Sequence, residues 1–323
     1  MGNKKILITG CAGFIGSQFA LKSLKKNFRV IGIDNLDNYY STSLKKKRVF
    51  ILKKSKNFKF YKIDIRNFKK LDNIIKNNHI DYVFHFAAQA GVRYSKIDPK
   101  KYTTTNIFGT LNLLNSLKSK KVKKIFLASS SSVYGDCKKF PLKENIKLKP
   151  INHYAFTKKI NEDMGYSFSK IYNLNIYMLR FFTIYGKWGR PDMFIFKLFK
   201  SIFSKQKFKL NNSGDHERDF TYIDDGCEIL LKLMKKKIKK KYDIFNICSN
   251  NPINIKKIVR FVNSKISSDI KIKNIPRNIL DVKKTHGSNT KILRLVGRKK
   301  FTDYKLVIKD IFDWYKENKI YRY

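Results

Sequence analysis

The run Thr9-Gly10-Cys11-Ala12-Gly13-Phe14-Ile15-Gly16 constrains this chain more than any other feature. Its three glycines, spaced three apart, lie between a short apolar stretch at residues 4–9 and a helical pattern carrying Phe14, Ile15, Phe19, Ala20 and Leu24. Gly10 permits a tight turn, Gly13 lets the backbone approach a pyrophosphate, and Gly16 allows close helix–strand packing. The free N–H groups at the start of the helix would face the phosphates. A glycine triplet alone is a weak signal, but here strand, turn, helix and a following acid agree. That acid is Asp34, which closes the next apolar run, Arg29 to Ile33. A carboxylate there accepts hydrogen bonds from an adenosine ribose and repels a 2′-phosphate, which favours NAD over NADP. Asp64 ends the following run in reach of an adenine amino group, although a helix N-cap ahead of Arg66-Asn67-Phe68 accounts for it as well.

Apolar runs recur at Phe58 to Ile63, Tyr82 to Phe86, Lys124 to Ala128 and Asn175 to Leu179, with helical stretches between them, notably 99–119 and 153–172. Strands alternating with helices imply an α/β fold: a Rossmann-type, doubly wound parallel sheet. The alternation loosens after about residue 181. We expect a cofactor-binding domain over 1–180, rejoined by elements around 222–250, and a smaller C-terminal substrate-binding lobe over 181–323.

The chain has 323 residues, 42% of them hydrophobic, enough for a substantial core. No apolar run reaches the roughly 20 residues that span a bilayer. The apolar stretch before Cys11 is too short for a secretory signal, so a cytoplasmic protein is expected. The four cysteines, Cys11, Cys137, Cys227 and Cys248, form no CxxC pair, and the five histidines form no metal-binding spacing. No metal is expected. Lys+Arg of 71 against Asp+Glu of 24 gives +47. Clusters such as Lys45-Lys46-Lys47-Arg48 alternate with apolar residues as solvated helix faces do, and Lys, Asn, Ile, Phe and Tyr are abundant together. The charge reads as compositional drift rather than a dedicated nucleic-acid surface, with non-specific RNA binding expected at low salt.

Ser129-Ser130-Ser131-Ser132-Val133-Tyr134-Gly135 follows the fifth apolar run, and Tyr154-Ala-Phe-Thr-Lys158 opens the helical stretch after it. Tyr154 and Lys158, four apart, share a helix face. A lysine ammonium and an oxidised nicotinamide would pull the tyrosine from its usual pKa of ~10 toward neutrality. Such a tyrosine can take a proton from a sugar hydroxyl while the cofactor takes hydride from the same carbon.

With these motifs the chain resembles the extended short-chain dehydrogenase/reductase family, and within it the UDP-glucuronate 4-epimerases. The resemblance runs from about Lys4 to Asn318. Its most telling stretches are Asp34-Asn-Leu-Asp-Asn-Tyr-Tyr40, His85-Phe-Ala-Ala-Gln-Ala-Gly-Val-Arg-Tyr-Ser95, Arg180-Phe-Phe-Thr-Ile-Tyr-Gly-Lys-Trp-Gly-Arg-Pro-Asp-Met193 and Arg218-Asp-Phe-Thr-Tyr-Ile-Asp-Asp225. The likeness makes Ser130 the serine that bonds the reacting hydroxyl beside Tyr154. It adds Phe14, Ile15, Asn35, Ile65, Ala87 and Ala88 to the cofactor site and Ser131, Ser132 and Arg93 to the substrate site. Related dehydratases and decarboxylases carry acids where this chain has Ser131 and Ser132, which disfavours elimination here.

By the same likeness Thr183 and Arg190 hold the C6 carboxylate of glucuronate. The need is chemical, because oxidation at carbon 4 makes a β-keto acid that loses carbon dioxide when its carboxylate aligns with the carbonyl. Arg218 is expected at the diphosphate, with Asn212 and Gln206 near the uridine or its ribose. Asp281 falls where the family writes Gly-Asp-Val, but this chain reads Arg277-Asn-Ile-Leu-Asp-Val282, and Arg277 is a candidate to compensate. Two rival readings are a 4-epimerase of neutral UDP-sugars, UDP-glucose or UDP-N-acetylglucosamine, and a catalytically silent, epimerase-like RNA-binding protein. The first usually carries Asn in place of Thr183. The second usually loses the Tyr or Lys that this chain keeps. The resemblance also implies a homodimer through residues 99–119 and 153–172, with Ile107, Leu111, Leu114 and Leu117 as apolar positions that would serve equally well for packing on the sheet.

Overall fold

The computed structural model describes residues 4–267, 270–276 and 281–323. The chain opens with β1 (Lys5–Thr9), α1 (Phe14–Lys25), β2 (Arg29–Asp34), α2 (Thr42–Lys53), β3 (Phe58–Lys62), α3 (Phe68–Lys76) and β4 (Tyr82–His85). A longer helical stretch follows, α4 (Pro99–Tyr102) and α5 (Gly109–Leu117), joined by one π-helical segment at Thr103–Phe108. Then come β5 (Lys124–Ser130), α6 (His153–Ile171), β6 (Ile176–Phe181), β7 (Thr183–Tyr185), α7 (Phe194–Phe203), β8 (Phe208–Asn211) and β9 (Glu217–Tyr222). The chain closes with α8 (Ile223–Lys235), β10 (Tyr242–Ile247), β11 (Pro252–Asn254), α9 (Ile255–Lys265), β12 (Ile272–Ile275), α10 (Thr290–Val296) and α11 (Tyr304–Glu317).

Seven parallel strands form the main sheet in the order β10-β6-β5-β4-β1-β2-β3. Both faces are covered, so its strands are apolar throughout rather than alternating. In β1, Ile6 and Ile8 join a core with α1, α8 and α10, while Leu7 joins the opposite core beneath α3, α5 and α6. The strand order reverses between β1 and β4. Ligands bind at such a switch point, outside the carboxyl ends of the strands.

A second core is built by Ile195, Phe199, Phe208, Ile258, Ile308 and Trp314 from α7, β8, α9 and α11. It carries a three-stranded sheet, β11-β9-β7, and a two-stranded one, β12-β8. The link to the first core is direct, because β7 starts two residues after β6 ends.

Two readings of the helical stretch at 99–119 are resolved by burial. Leu114 and Leu117 are fully buried against the main sheet, and Leu111 packs beside them. These leucines therefore belong to the core; the exposed apolar side chains nearby are Ile97, Phe108, Ile151 and Phe156. Among the described residues no helix is long and apolar enough to cross a membrane. They contain no cluster of metal-ligating side chains.

Candidate active site

The glycine turn sits between β1 and α1. Gly10 has φ +74, and a Cβ there would lie 2.6 Å from the Ala87 nitrogen, so the turn presses against the loop that leaves β4. A Cβ on Gly16 would lie 2.1 Å from the Gly10 carbonyl oxygen. Gly13 stands at the N-cap of α1, which has no side-chain cap and no acid in its first turn. Its first N–H groups face the cleft uncommitted, the arrangement that accepts a phosphate.

Gly10, Gly13, Phe14, Ile15, Gly16, Asp34, Asn35, Ile65, Ala87, Ala88, Tyr154 and Lys158 all line one cleft. Asp34 accepts from the N–H of Ala12 at 2.9 Å and of Leu36 at 2.8 Å. Burial nonetheless pushes its carboxyl above the ordinary value. Asp64 is not part of the wall. It accepts from Asn35 at 2.8 Å, and although burial opposes its charge, hydrogen bonds from Arg66 outweigh this and hold it low. The N-cap of α3 is Asn67, which accepts from Lys70 N at 3.1 Å, so Asp64 is not that cap. The cleft thus fits a dinucleotide: a backbone cradle that side chains would fill, and an acid at the adjacent strand end.

The chemical end is set by β5 and α6. β5 runs to Ser130, two residues beyond the expected end, because Ser129 and Ser130 pair with Arg180 and Phe181 of β6. The Asn152 side chain caps α6 at Ala155 N (2.9 Å), and the helix turns Tyr154 and Lys158 onto one face. Lys158 Nζ donates to the Ala128 carbonyl at 2.8 Å and lies 5.9 Å from the Tyr154 ring centroid. Burial pushes this ammonium down to about 8. Tyr154 moves opposite to the sequence expectation in the protein by itself. Burial raises it, while a hydrogen bond with Ser130 and the charge of Arg190 only partly offset this.

Beneath the serines lies a buried network. Arg180 forks onto Glu162 at 2.9 and 2.7 Å and donates to the Tyr134 hydroxyl at 2.9 Å. Ser129 donates to the same Glu162 at 2.6 Å. Ser130 donates to Ser132 at 3.1 Å and accepts from its N–H at 3.2 Å. Neither Ser131 nor Ser132 reaches the cleft wall.

Arg190 lines the cleft, forked onto Asp192 at 2.9 and 2.5 Å and stacked 5.6 Å from the Tyr39 ring. The guanidinium also shares a hydrogen bond with the Tyr39 hydroxyl. Thr183 starts β7 without reaching the wall, although Phe181, Phe182 and Ile184 do. The remaining candidates sit apart. Arg93 pairs with Asp281 at 2.5 Å, and both act with Arg218 on His216, which burial lowers to about 4. Arg218 also donates to the Glu217 carbonyl at 2.8 Å. Asn212 turns inward to the Asp215 carbonyl at 2.8 Å, Gln206 is exposed, and Arg277 lies outside the described residues.

Several residues at or behind the wall were given no role from the sequence. Asn106, in the π-helical segment, accepts from Gln89 N at 2.7 Å and donates to Gln89 O and to Thr157, tying the loop after β4 to α6. A threonine run ending in Asn inside a helix could have marked it, since π segments collect at functional sites. Gln89 is buried, lines the cleft and has an unpartnered amide nitrogen. Tyr39, Lys45 and Met193 complete the wall near Arg190.

A glycine cradle facing a serine–tyrosine–lysine set across the switch point of a doubly wound sheet defines a dinucleotide-dependent short-chain dehydrogenase/reductase. Residues 6–248 match the NAD dependent epimerase/dehydratase family, and the chain belongs to that family. It is 39% identical over 323 residues to the uncharacterized protein MJ1055 of Methanocaldococcus jannaschii, covering 99% of this chain and 98% of that protein. It is 40% identical over 314 residues to a UDP-glucuronate 4-epimerase of Thermodesulfobacterium geofontis, covering 97% and 96%. Among solved structures, the UDP-glucuronic acid 4-epimerase of Bacillus cereus, in complex with UDP-glucuronic acid and NAD, superposes with a TM-score of 0.90. That alignment has 30% identity and covers 97% of this chain and 99% of the other.

Proposed function

We propose that this chain interconverts UDP-glucuronate and UDP-galacturonate by NAD-dependent epimerisation at carbon 4. The observation that carries the reading is Arg190, held on the cleft wall by Asp192 with its charge felt at Tyr154. A guanidinium edge is the group that grips a carboxylate in two-point fashion.

Bound NAD accepts the carbon-4 hydride and returns it. The glycine turn and the α1 N-terminus hold the pyrophosphate, Asp34 the adenosine ribose, Asn35 and Ile65 the adenine, and Ala87, Ala88 and Lys158 the nicotinamide half. Asp64 serves indirectly, by fixing Asn35. Ser130 and Tyr154 meet the 4-hydroxyl, and Tyr154 takes its proton. Burial works against the phenolate, so positive charge from Arg190 and Lys158 must favour it. Arg190, with Thr183, holds the substrate carboxylate away from the alignment that releases carbon dioxide from the 4-keto acid. The cluster of Arg93, Arg218, Asp281 and His216 receives the nucleotide end, and Asn212 borders it.

The enzyme works as a cytoplasmic homodimer whose contact uses α4, α5 and α6. Exposed Phe108, in the π-helical segment, and Phe156, on α6, support this face, since large exposed apolar groups mark association surfaces.

The test is to incubate the purified protein and NAD with UDP-glucuronate and, separately, with UDP-glucose, resolving products by NMR. UDP-galacturonate from the first alone, lost or replaced by carbon dioxide release in Arg190→Ala, is the expected result. Conversion of UDP-glucose alone overturns the reading of Thr183 and Arg190 and leaves a neutral-sugar 4-epimerase.

A further inference from the structure

Arg48 on α2 is a buried cation, 1% exposed, with no carboxylate partner within ion-pair distance among the described residues. A desolvated guanidinium without a paired acid is expensive, so its position needs a reason. Its donors reach two separate loops. Nη1 donates to the Ala12 carbonyl at 2.9 Å and the Tyr40 hydroxyl at 2.7 Å. Nη2 donates to the Trp188 carbonyl at 2.5 Å and the Gly189 carbonyl at 3.0 Å. Nε is buried without a partner.

Ala12 lies in the glycine turn that meets the cofactor, and Gly189 immediately precedes Arg190. One planar, rigid group therefore joins the two halves of the site. Each end is fixed elsewhere as well. The Ala12 N–H is held by Asp34, and Trp188, a non-glycine residue at φ +63, packs its ring 5.0 Å from Trp314. The left-handed backbone at Trp188 is costly and persists only where its surroundings enforce it. Arg48 takes its carbonyl. Tyr39 donates to Asp192 at 3.1 Å, so the loop before α2 also touches the acid that orients Arg190.

We propose that Arg48 is a positioning residue that couples cofactor seating in the glycine turn to the placement of Arg190. The proposal rests on the reading of Arg190 above. When the turn closes on a pyrophosphate, the Ala12 carbonyl is fixed, the guanidinium is fixed with it, and the Trp188–Gly189 backbone is locked in register. Lysine keeps the charge but cannot reach four acceptors with one point donor, so the fork rather than the charge is the active feature.

The test uses full-length protein stripped of cofactor and reloaded with NAD. Calorimetric titration measures affinity for UDP-glucuronate and UDP-glucose with and without NAD, in the wild type, Arg48→Lys and Arg48→Met. We expect NAD to tighten binding of the converted sugar by about tenfold in the wild type, within the usual range of site–site coupling. In both variants the factor falls to about onefold, while affinity for UDP alone changes little. Retention of the tenfold factor in Arg48→Lys overturns the proposal, as does its absence from the wild type.

A second measurement needs no substitution. NAD alone should raise hydrogen-exchange protection at Gly189 and Met193, whose amides bond to the Gly186 and Arg190 carbonyls at 3.2 Å each. Unchanged exchange there also overturns the proposal. The substrate reading is judged separately, by which sugar the wild type converts, and the coupling is read from that sugar in either case.

Discussion

Lys158 offers a perturbation with a worked sign. Its ammonium is 2% exposed, and burial lowers it from 10.5 to about 8. A group less basic in the folded than in the unfolded state costs stability for as long as it stays protonated in the fold. That cost is full below pH 8 and is relieved as pH rises from 8 to 10.5. At about 1.4 kcal/mol per pH unit, the gap amounts to about 3 kcal/mol at pH 7. Lys158→Met removes the cost but strands the Ala128 carbonyl, which loses the 2.8 Å bond, at about 1–2 kcal/mol. The variant should therefore be more stable than the wild type by roughly 1–2 kcal/mol at pH 7 and less stable by a similar amount above pH 10.5. Urea denaturation of the cofactor-free proteins from pH 7 to 11 reads the crossover. Activity should fall by about a hundredfold or more, as the loss of a group assisting proton transfer does. A Lys158→Met protein less stable than the wild type at pH 7, or a difference flat with pH, would refute the reasoning.

The buried pair beneath the serine loop gives a different signature. Glu162→Gln leaves Arg180 uncompensated at 2% exposure and should cost about 3–5 kcal/mol, lowering the melting midpoint by roughly 4–7 °C in calorimetry. Joint replacement with Arg180→Met should recover most of that loss. Gly16→Ala places a methyl 2.1 Å from the Gly10 carbonyl, so NAD affinity should drop at least tenfold by fluorescence titration, with about 1–3 kcal/mol of stability. Gly226→Ala, in helix α8 with its nearest neighbour at 3.9 Å, should instead gain about 0.5–1 kcal/mol. Binding of a random-sequence RNA should weaken steeply between 50 and 200 mM salt, while NAD affinity stays nearly constant.

The parts of the site that could be read from sequence are those built by neighbours along the chain. The turn at Gly10–Gly16 and the Tyr154–Lys158 pair each need only a strand end or one helical turn, and Gly10, Gly13, Gly16, Tyr154 and Lys158 all line the cleft where local spacing put them. The strand pattern yielded the doubly wound sheet for the same reason, since each strand carries its own apolar signal. What escaped depends on pairs far apart. Arg48 meets Trp188 across 140 positions, and Asn106 meets Thr157 across 51. Nothing in the composition of α2 distinguishes Arg48 from the lysines beside it, of which Lys46 is exposed and Lys47 half-buried. The direction at Tyr154 was missed because helix geometry reports which groups share a face but not how much water surrounds them. Asp64 shows the same gap: its spacing was right for a ligand contact, yet Arg66 and Asn35 had already taken its oxygens.

The charge of +47 belongs to a different level of organisation from the site. The cleft wall holds three cations, Lys45, Lys158 and Arg190, against two carboxylates, Asp34 and Asp37, whereas the whole chain holds 71 against 24. Each of the three is committed: Lys45 to the Asp37 carbonyl, Lys158 to Ala128 and Arg190 to Asp192. A substitution to lysine on an exposed helix face changes stability by about half a kcal/mol or less, so composition can drift there. Inside the cleft the same change would desolvate a charge or displace a hydrogen-bonded partner, at a cost of several kcal/mol. Drift therefore halts at the cleft wall. Arg48 makes the point most sharply, because it stands within a Lys-Lys-Lys-Arg run whose composition reads as drift, yet like Lys45 it is buried, and it bonds to both loops of the site.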